Sequence, residues 1–405
     1  MTVSYTHDNY LIIRPRGGTV YALLLCCCLL DPASPEDRTP VAASSLFPVV
    51  AQTDTTLPPQ PLERLDTLRF HDFAGLVVSV ARTSVPLLEN PAATTVVGPR
   101  DLEAMPRTVA VDEALRMVPG VKVDNQADGE RGHMSIRGQG ILSERGLRGI
   151  KVLQDGLPLN DPTGFAPDLY DVDWSDVERI EVLRGPGASL YGGGATAGVL
   201  NIVTAPAGEG PALVAEGHAG SSGFWKTAAR SSGRVGEVGY RLSLSRAMGD
   251  GYRQHTAFSA TNLFFKGDVH PTERLRLTPI LAWTDFFNEN AEGLNLDWLA
   301  EDRRQANPDA ITFNELQRTR RFTGGLTGRW NVDARTALDF DAYLHQTRYR
   351  EPVPSSVQHR TLLAPGATVQ LTRTFQTGTV GHTLAGGTDL QWQSIDEFRR
   401  PNLGG

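Results

Sequence analysis

"DVERIEVLRGPGASLYGGGATAGVLNIVT", residues 176–204, places two apolar segments around a glycine-rich stretch. In the first segment Ile180 and Val182 fall on one face and Arg179 and Glu181 on the other, the period of two that marks a strand. The second, Gly198–Thr204, is nearly continuously apolar and reads as a strand buried on both sides. The glycines between them could cradle a phosphate or let the backbone bend and pack, and spacing decides. A dinucleotide fingerprint needs glycine at its first, third and sixth positions, but counting from Gly185 reaches Gly187 and then Leu190. A P-loop needs Lys after its last glycine, and Gly193 stands there behind Gly187 and Gly192. Gly185, Gly187, Gly192 and Gly193 are therefore read as backbone, supplying positive φ and close approach in a turn between two strands of a small buried sheet. On this reading Gly193→Val is expected to harm folding, and Tyr191 is expected to pack.

With 405 residues the chain calls for at least two structural units. A net charge of -7 gives no electrostatic reason to bind nucleic acid. Cys26, Cys27 and Cys28 are the three cysteines, and they sit in the apolar run Val20–Leu30 that follows Arg14 and Arg16. A basic start, an apolar run of about ten residues and small residues up to Ala42-Ala43 read as an export leader over residues 1–45. The run is too short for a spanning helix, which needs roughly 20 residues. Removal of the leader leaves no Cys, which excludes disulfides and thiolate metal sites.

Residues 46–89 are Pro-rich and polar and read as a flexible linker. Near its end lies "GLVVSVAR", residues 75–82, either the first strand of the next domain or a strand lent to a partner by edge addition. Residues 90–205 read as a compact α+β unit. Within it "VDEALRMVPGVKV" gives a short helix with Ala114, Leu115 and Val118 on one face, stopped by Pro119-Gly120. Further strands are "HMSIRG" and "IKVLQDG", the latter ending in an Asp155-Gly156 turn.

From residue 206 onward alternating segments of about ten residues take over. Leu242 and Leu244 oppose Arg241, Ser243 and Ser245; Leu281 and Trp283 lie on an apolar face; Leu338, Phe340 and Leu344 oppose Asp339, Asp341 and His345. Short turns near 231–236, 268–273, 331–335 and 376–382 alternate with longer connections at 248–255, 288–319 and 350–365. Alternation alone also fits a soluble sandwich. The loop asymmetry favours antiparallel transmembrane β-barrel strands, about nine of them, with modest turns on one side and large loops on the other.

These parts together resemble the TonB-dependent outer-membrane receptors. The resemblance rests on "VDEALRMVPGVKV", "MSIRGQG", "IKVLQDGLPLND" and above all on residues 176–204, followed directly by barrel-like strands. It implies an α+β plug domain inside a barrel, located in the outer membrane among its lipids. It further implies active uptake of a scarce ligand, a ferric siderophore or other metal chelate, or alternatively cobalamin or another large solute. TonB, of the inner-membrane energising complex, would be the partner, and its box would be Leu76, Val77, Val78, Ser79 and Val80. Arg137 and Arg184 occupy positions where similar receptors set charged plug residues against the barrel wall; solvated or plug-internal arginines fit them equally. Arg131, Arg145 and Arg148 fall in segments that would reach the plug apex, where they suit an anionic chelate. Members of the family close with about 22 strands, so a chain reaching Gly405 after about nine is expected to be an incomplete barrel, the N-terminal part of a longer receptor or a non-functional fragment.

Catalysis finds no footing: no H-E-x-x-H, no G-x-S-x-G elbow and no Cys pair outside the leader occur, and no cofactor or metal is expected. The acidic run "NDPTGFAPDLYDVDWSD" lacks EF-hand spacing and reads as a solvated loop.

Overall fold

The computed structural model describes residues 2–5, 11–14, 77–79, 82, 85–103, 112–125, 132–140, 147–163, 169–207 and 212–404. Strands β1 (Thr2–Tyr5) and β2 (Leu11–Arg14) form an antiparallel pair. Strand β3 (Val77–Val78) pairs with β4 (Val85–Pro86). The plug follows as β5 (Thr94–Val97), α1 (Pro99–Glu103), α2 (Asp112–Leu115), the hairpin of β6 (Val121–Asn125) and β7 (Gly132–Ile136), then β8 (Ile150–Gln154), β9 (Leu157–Pro158), β10 (Val177–Arg184), α3 (Ala188–Tyr191) and β11 (Gly198–Thr204).

Five of these strands form a mixed sheet in the order β5-β10-β11-β8-β9, in which β11 runs parallel to β8 and the other pairs are antiparallel. Burial explains the register. Ile180 and Val182 of β10, Leu200 and Ile202 of β11 and Ile150 and Val152 of β8 meet in one core, joined by Trp174 and by Ala114, Leu115 and Val118 of the α2 segment. A one-residue slip would turn every one of these side chains to the opposite face. Each fully buried Val, Leu or Ile contributes about 1.5–3 kcal/mol. The Asp155-Gly156 turn between β8 and β9 has positive φ at both residues, 49° and 90°, which matches the twist of a two-residue hairpin.

The glycines divide by role. Gly185 and Gly192 have φ of 142° and 68°, and a Cβ on Gly198 would stand 2.3 Å from the Leu183 carbonyl oxygen across the β10–β11 ladder. Gly193 differs from the expectation: its φ is not positive and nothing lies within 4 Å of where its Cβ would be. The turn is made by its neighbours, so this position tolerates a side chain.

Behind the plug the chain builds one large antiparallel sheet. Its strands are β12 (Ala212–Ala219), β13 (Trp225–Val235), β14 (Val238–Gly249), β15 (Phe258–Thr272), β16 (Leu275–Glu289), β17 (Leu316–Asp333), β18 (Thr336–Val353), β19 (Ser356–Thr377), β20 (Val380–Gln391) and β21 (Ser394–Arg400), with helices α4 (Leu296–Glu301) and α5 (Pro308–Thr312) between β16 and β17. Strands β20 and β21 lie end to end along β19, facing Gly366–Thr377 and Val357–Leu363. They form one interrupted pass, and the wall has nine. The barrel is not closed: β2 lies along the β12 edge and β20 is the last strand at the other.

Polarity along these strands is inverted relative to a soluble protein. Leu281, Trp283 and Trp330 are 49%, 38% and 45% exposed on the outer face, while Ser243, Ser245, Lys266 and His345 are buried against the plug. Such a face suits lipid, and it removes the sandwich alternative, in which the apolar side would be the dry one. The turns Gly236-Glu237, Glu273-Arg274, Ala334-Arg335 and Gly378-Thr379 close one end. At the other end the connections 250–257 and 290–315 are long. The expected loop over 350–365 is absent: β18 and β19 pair through to Val353 and Ser356 and turn at Pro354-Ser355. Pro352 is accommodated at this end of the strand, opposite Val357, so the proline-rich spelling did not interrupt the hairpin.

Gly198→Val is expected to destabilise the plug by about 3 kcal/mol, the upper end of an overpacking penalty, whereas Gly193→Val leaves it nearly unchanged; thermal melts of the two variants in detergent compare them directly. Leu281→Arg is expected to cost about 2–4 kcal/mol in refolding titrations into lipid vesicles, as for a charge near the bilayer midplane. An unchanged midpoint would remove Leu281 from the lipid face.

Candidate functional site

The C-terminal part of the acidic run expected to be solvated, residues 169–176, is instead the seam between plug and wall. Asp173 and Asp176 flank and end a 3-10 turn (Trp174–Asp176) and are buried against β13 and β14, where Lys226 lies 3.9 Å from Asp173 and Arg241 donates from Nε to Asp176 at 2.7 Å. Arg230 donates to the Ser175 carbonyl at 2.6 Å and pairs with Glu216 through both carboxylate oxygens. Arg321 of β17 reaches Asp171 at 3.4 Å and donates to the Leu159 carbonyl at 2.7 Å. Lys266 of β15 donates to Asp155 Oδ1 at 3.0 Å and to Thr204 Oγ1 at 2.7 Å. The wall presents cations and the plug presents carboxylates. The signal was available in the alternation, because Arg230, Arg241, Lys266 and Arg321 all fall on the inward register; the sequence alone did not say what faced them.

Burial pushes the Asp176 carboxyl up to about 6, against the opposing pull of Arg241. Its Oδ2 has no hydrogen-bond partner among the described residues, which is consistent with a group that readily takes up a proton there.

At the short-turn end a second set of contacts holds the segment that precedes the plug. Val78 is fully buried beside Leu153, Leu183 and Tyr191. Ser79 donates from its backbone N at 3.0 Å and from its hydroxyl at 3.2 Å to the same Glu181 oxygen, which also accepts from Asn201 at 3.1 Å. Glu181 itself is fully buried and also accepts from Arg179 Nε at 3.0 Å. Three residues on, Arg82 takes a positive φ of 67° and spans plug and wall. Its guanidinium donates to the Leu190 carbonyl at 3.0 Å, lies 4.4 Å from the Tyr191 ring centroid and forks onto both oxygens of Asp389, while its own carbonyl accepts from Gln370 at 2.8 Å. Burial pushes the Tyr191 phenol up to about 12, so Arg82 meets a neutral ring.

Two cavities flank the plug along the wall. One, at the long-loop end, has a volume of about 470 Å³ and is lined by Arg148, Tyr170, Arg321, Tyr349 and Glu351 among others. The other, at the short-turn end, has about 550 Å³ and includes Ser79 and Arg82 in its lining. Of the residues singled out from sequence, Arg148 lies in the first cavity, whereas Arg131 and Arg145 fall outside the described residues. So do Leu76 and Val80, and only the backbone of Val77 is described. Arg184 donates to the Pro119 carbonyl at 3.1 Å, and Arg137 stands exposed on its turn with φ 51°. Tyr191 is buried. Sequence reasoning missed Arg82, Asp155, Glu181 and Asp389, since no local spacing marks a contact made across hundreds of residues. Among the described residues no cluster of three metal-binding side chains occurs.

Residues 86–199 match the TonB-dependent Receptor Plug Domain family. The chain is 32% identical over 179 residues to the Vitamin B12 transporter BtuB of Photobacterium profundum, covering 44% of this chain and 28% of that protein. It is 34% identical over 139 residues to the Ferric enterobactin receptor PirA of Pseudomonas aeruginosa, covering 31% and 18%. Among solved structures, the unliganded ferric citrate transporter FecA superposes with a TM-score of 0.67 at 22% identity, over 77% of this chain and 49% of that one. The ferripyoverdine receptor of the outer membrane of Pseudomonas aeruginosa gives 0.66 at 16%, over 82% and 46%. The chain thus spans about half the length of these structures and less of the curated relatives.

Because the folded Asp176 pKa of about 6 lies above its ordinary value of 3.8, its contribution to stability is fully present below pH 3.8 and is lost as the pH rises through about 6. Asp176→Asn is therefore expected to compare more favourably with the natural protein at pH 7.5 than at pH 5. Melting both proteins at the two pH values tests the sign.

Proposed function

The chain belongs to the TonB-dependent receptors of the outer membrane, and from that premise we propose that it serves active import of a scarce ligand, with TonB gripping Leu76–Val80 from the periplasmic side. The reading takes residues 1–45 as leader, 46–89 as the linker bearing the box, 90–205 as plug and 206–405 as part of the wall. Family and fold are those of transporters and receptors rather than enzymes.

The observation that carries the proposal is the two-point latch. Strand β3 pairs over two residues with β4, a short ladder whose main-chain groups a partner's sheet edge can take over with little side-chain demand. Ser79 ties the segment to the plug through Glu181, and Arg82 ties it to plug and wall at once. The Arg82–Asp389 pair is partly exposed and of modest strength, as suits a contact that must break and reform in each cycle.

For the ligand, the long-loop cavity combines Arg148 with Tyr170 and Tyr349, groups that suit a ferric siderophore or another anionic, aromatic metal chelate. Cobalamin is the second reading, favoured by the relatives named as Vitamin B12 transporters. Cells expressing the receptor are expected to concentrate either a ferric siderophore or radiolabelled cyanocobalamin. Deletion of Leu76–Val80 is expected to abolish energised uptake and leave surface binding intact. Uptake that survives the deletion overturns the assigned box. Asp389→Asn is expected to increase crosslinking of Ser79→Cys to purified TonB without ligand.

A further inference from the structure

The two cavities lie one beyond the other along the same wall strands, β17 to β19. Arg321 lines the first and Thr327 the second, about 20 Å apart along β17 at about 3.3 Å per residue. The tip of the β8–β9 hairpin, Asp155-Gly156, lines the short-turn cavity and Leu159 lines the other, so what stands between them is β9. Leu157 is buried there with Phe264, Ile280 and Tyr343. It fills a socket whose floor is Gly325, where a Cβ would come within 2.3 Å of Leu157 Cδ1. Strand β9 is the edge of the plug sheet, so the next two carbonyls have no strand to pair with. Wall side chains pair them instead: His345 Nε2 donates to Pro158 O at 2.7 Å and Arg321 donates to Leu159 O at 2.7 Å. Nε2 being the donor, Nδ1 of His345 accepts from the Thr323 hydroxyl at 2.9 Å, which fixes the ring.

Over β13 and β14 the seam is closed by charge. There Asp173 and Asp176 meet Lys226 and Arg241, and the space beside them is about 10 Å³, room for about one water.

We propose that the translocation path through the described wall runs from the long-loop cavity to the short-turn cavity along β17–β19, and that the β8–β9 hairpin is its gate, with Leu157 over Gly325 as the closure. This rests on the import reading above. The gate is joined to the latch. Leu153 belongs to the gate's own strand β8 and packs against Val78 of β3, and the short-turn cavity is bordered by Ser79 and Arg82. Withdrawing the N-terminal segment therefore clears the exit and removes a support of the hairpin in one movement.

The test needs neither ligand nor TonB. In planar bilayers in potassium chloride, the full-length receptor carrying Leu157→Ala with His345→Ala is expected to conduct severalfold more than the natural receptor, and cells expressing it are expected to become sensitive to vancomycin. Conductance and sensitivity equal to the natural receptor's overturn the gate, even if import itself is demonstrated. A second variant, Leu157→Cys with Gly325→Cys, is read by thiol labelling. Once oxidised it is expected to block uptake of whichever of ferric enterobactin or cyanocobalamin the natural receptor carries, and reduction is expected to restore it. Uptake through the oxidised form overturns the path. If the natural receptor takes up neither compound, those two ligands are removed from the import reading, and the bilayer conductance decides the gate.

Discussion

Carboxylates buried between plug and wall, each facing a wall cation, are the constraint that the rest of this structure obeys. The wall must show lipid its apolar face, so period-two alternation leaves polar side chains for the lumen, and a plug seated there cannot be held by apolar packing alone. Asp155, Asp171, Asp173 and Asp176 meet Lys266, Arg321, Lys226 and Arg241. Ion pairs of this kind are costly to bury but far more costly to break singly, because the remaining charge is stranded in low dielectric. They hold the plug in one orientation. The plug's own cohesion comes from a separate apolar core around Ile180, Val182, Leu200 and Ile202, whereas its seating combines these ion pairs with the apolar contacts of Leu157 and Tyr170 on the wall.

This division explains what could be read from the sequence. Strands β10 and β11 and the alternating wall strands are specified by local burial patterns, which a single chain displays. The polar register was visible too, but its partners were not: Arg82 meets Asp389 across 307 positions, and His345 meets Pro158 across 187. The acidic run at 160–176 carries the composition of a solvated loop, and its last residues, Asp171, Asp173 and Asp176, are buried where the lumen supplies counter-charges. A loop was expected over 350–365, yet β18 and β19 pair through Pro352 to Val353 and Ser356. In the glycine-rich stretch, sequence reasoning identified the turn but credited Gly193 with a demand that belongs to Gly192 and Gly198. Composition could not separate these, because φ and close approach are set residue by residue.

The latch gives the glycine-rich stretch a mechanical setting. From the N-terminal side the β3–β4 ladder and Val78 come first, and then Ser79, which is tied through the fully buried Glu181 to β10, a central strand of the plug sheet. Next comes Arg82, whose plug contacts are the Leu190 carbonyl and the Tyr191 ring, at the end of α3 where the chain turns at Gly192 with positive φ. Past that turn nothing packs on Gly193, and Gly194 again has positive φ. Arg82 is thus joined to a turn whose shape rests on the torsions of its glycines, between β10 and β11 of the plug sheet. Tyr191 and Ala195, on either side of those glycines, are buried with Val78 and Leu153, so the turn that the latch holds belongs to the same apolar cluster as the latch itself.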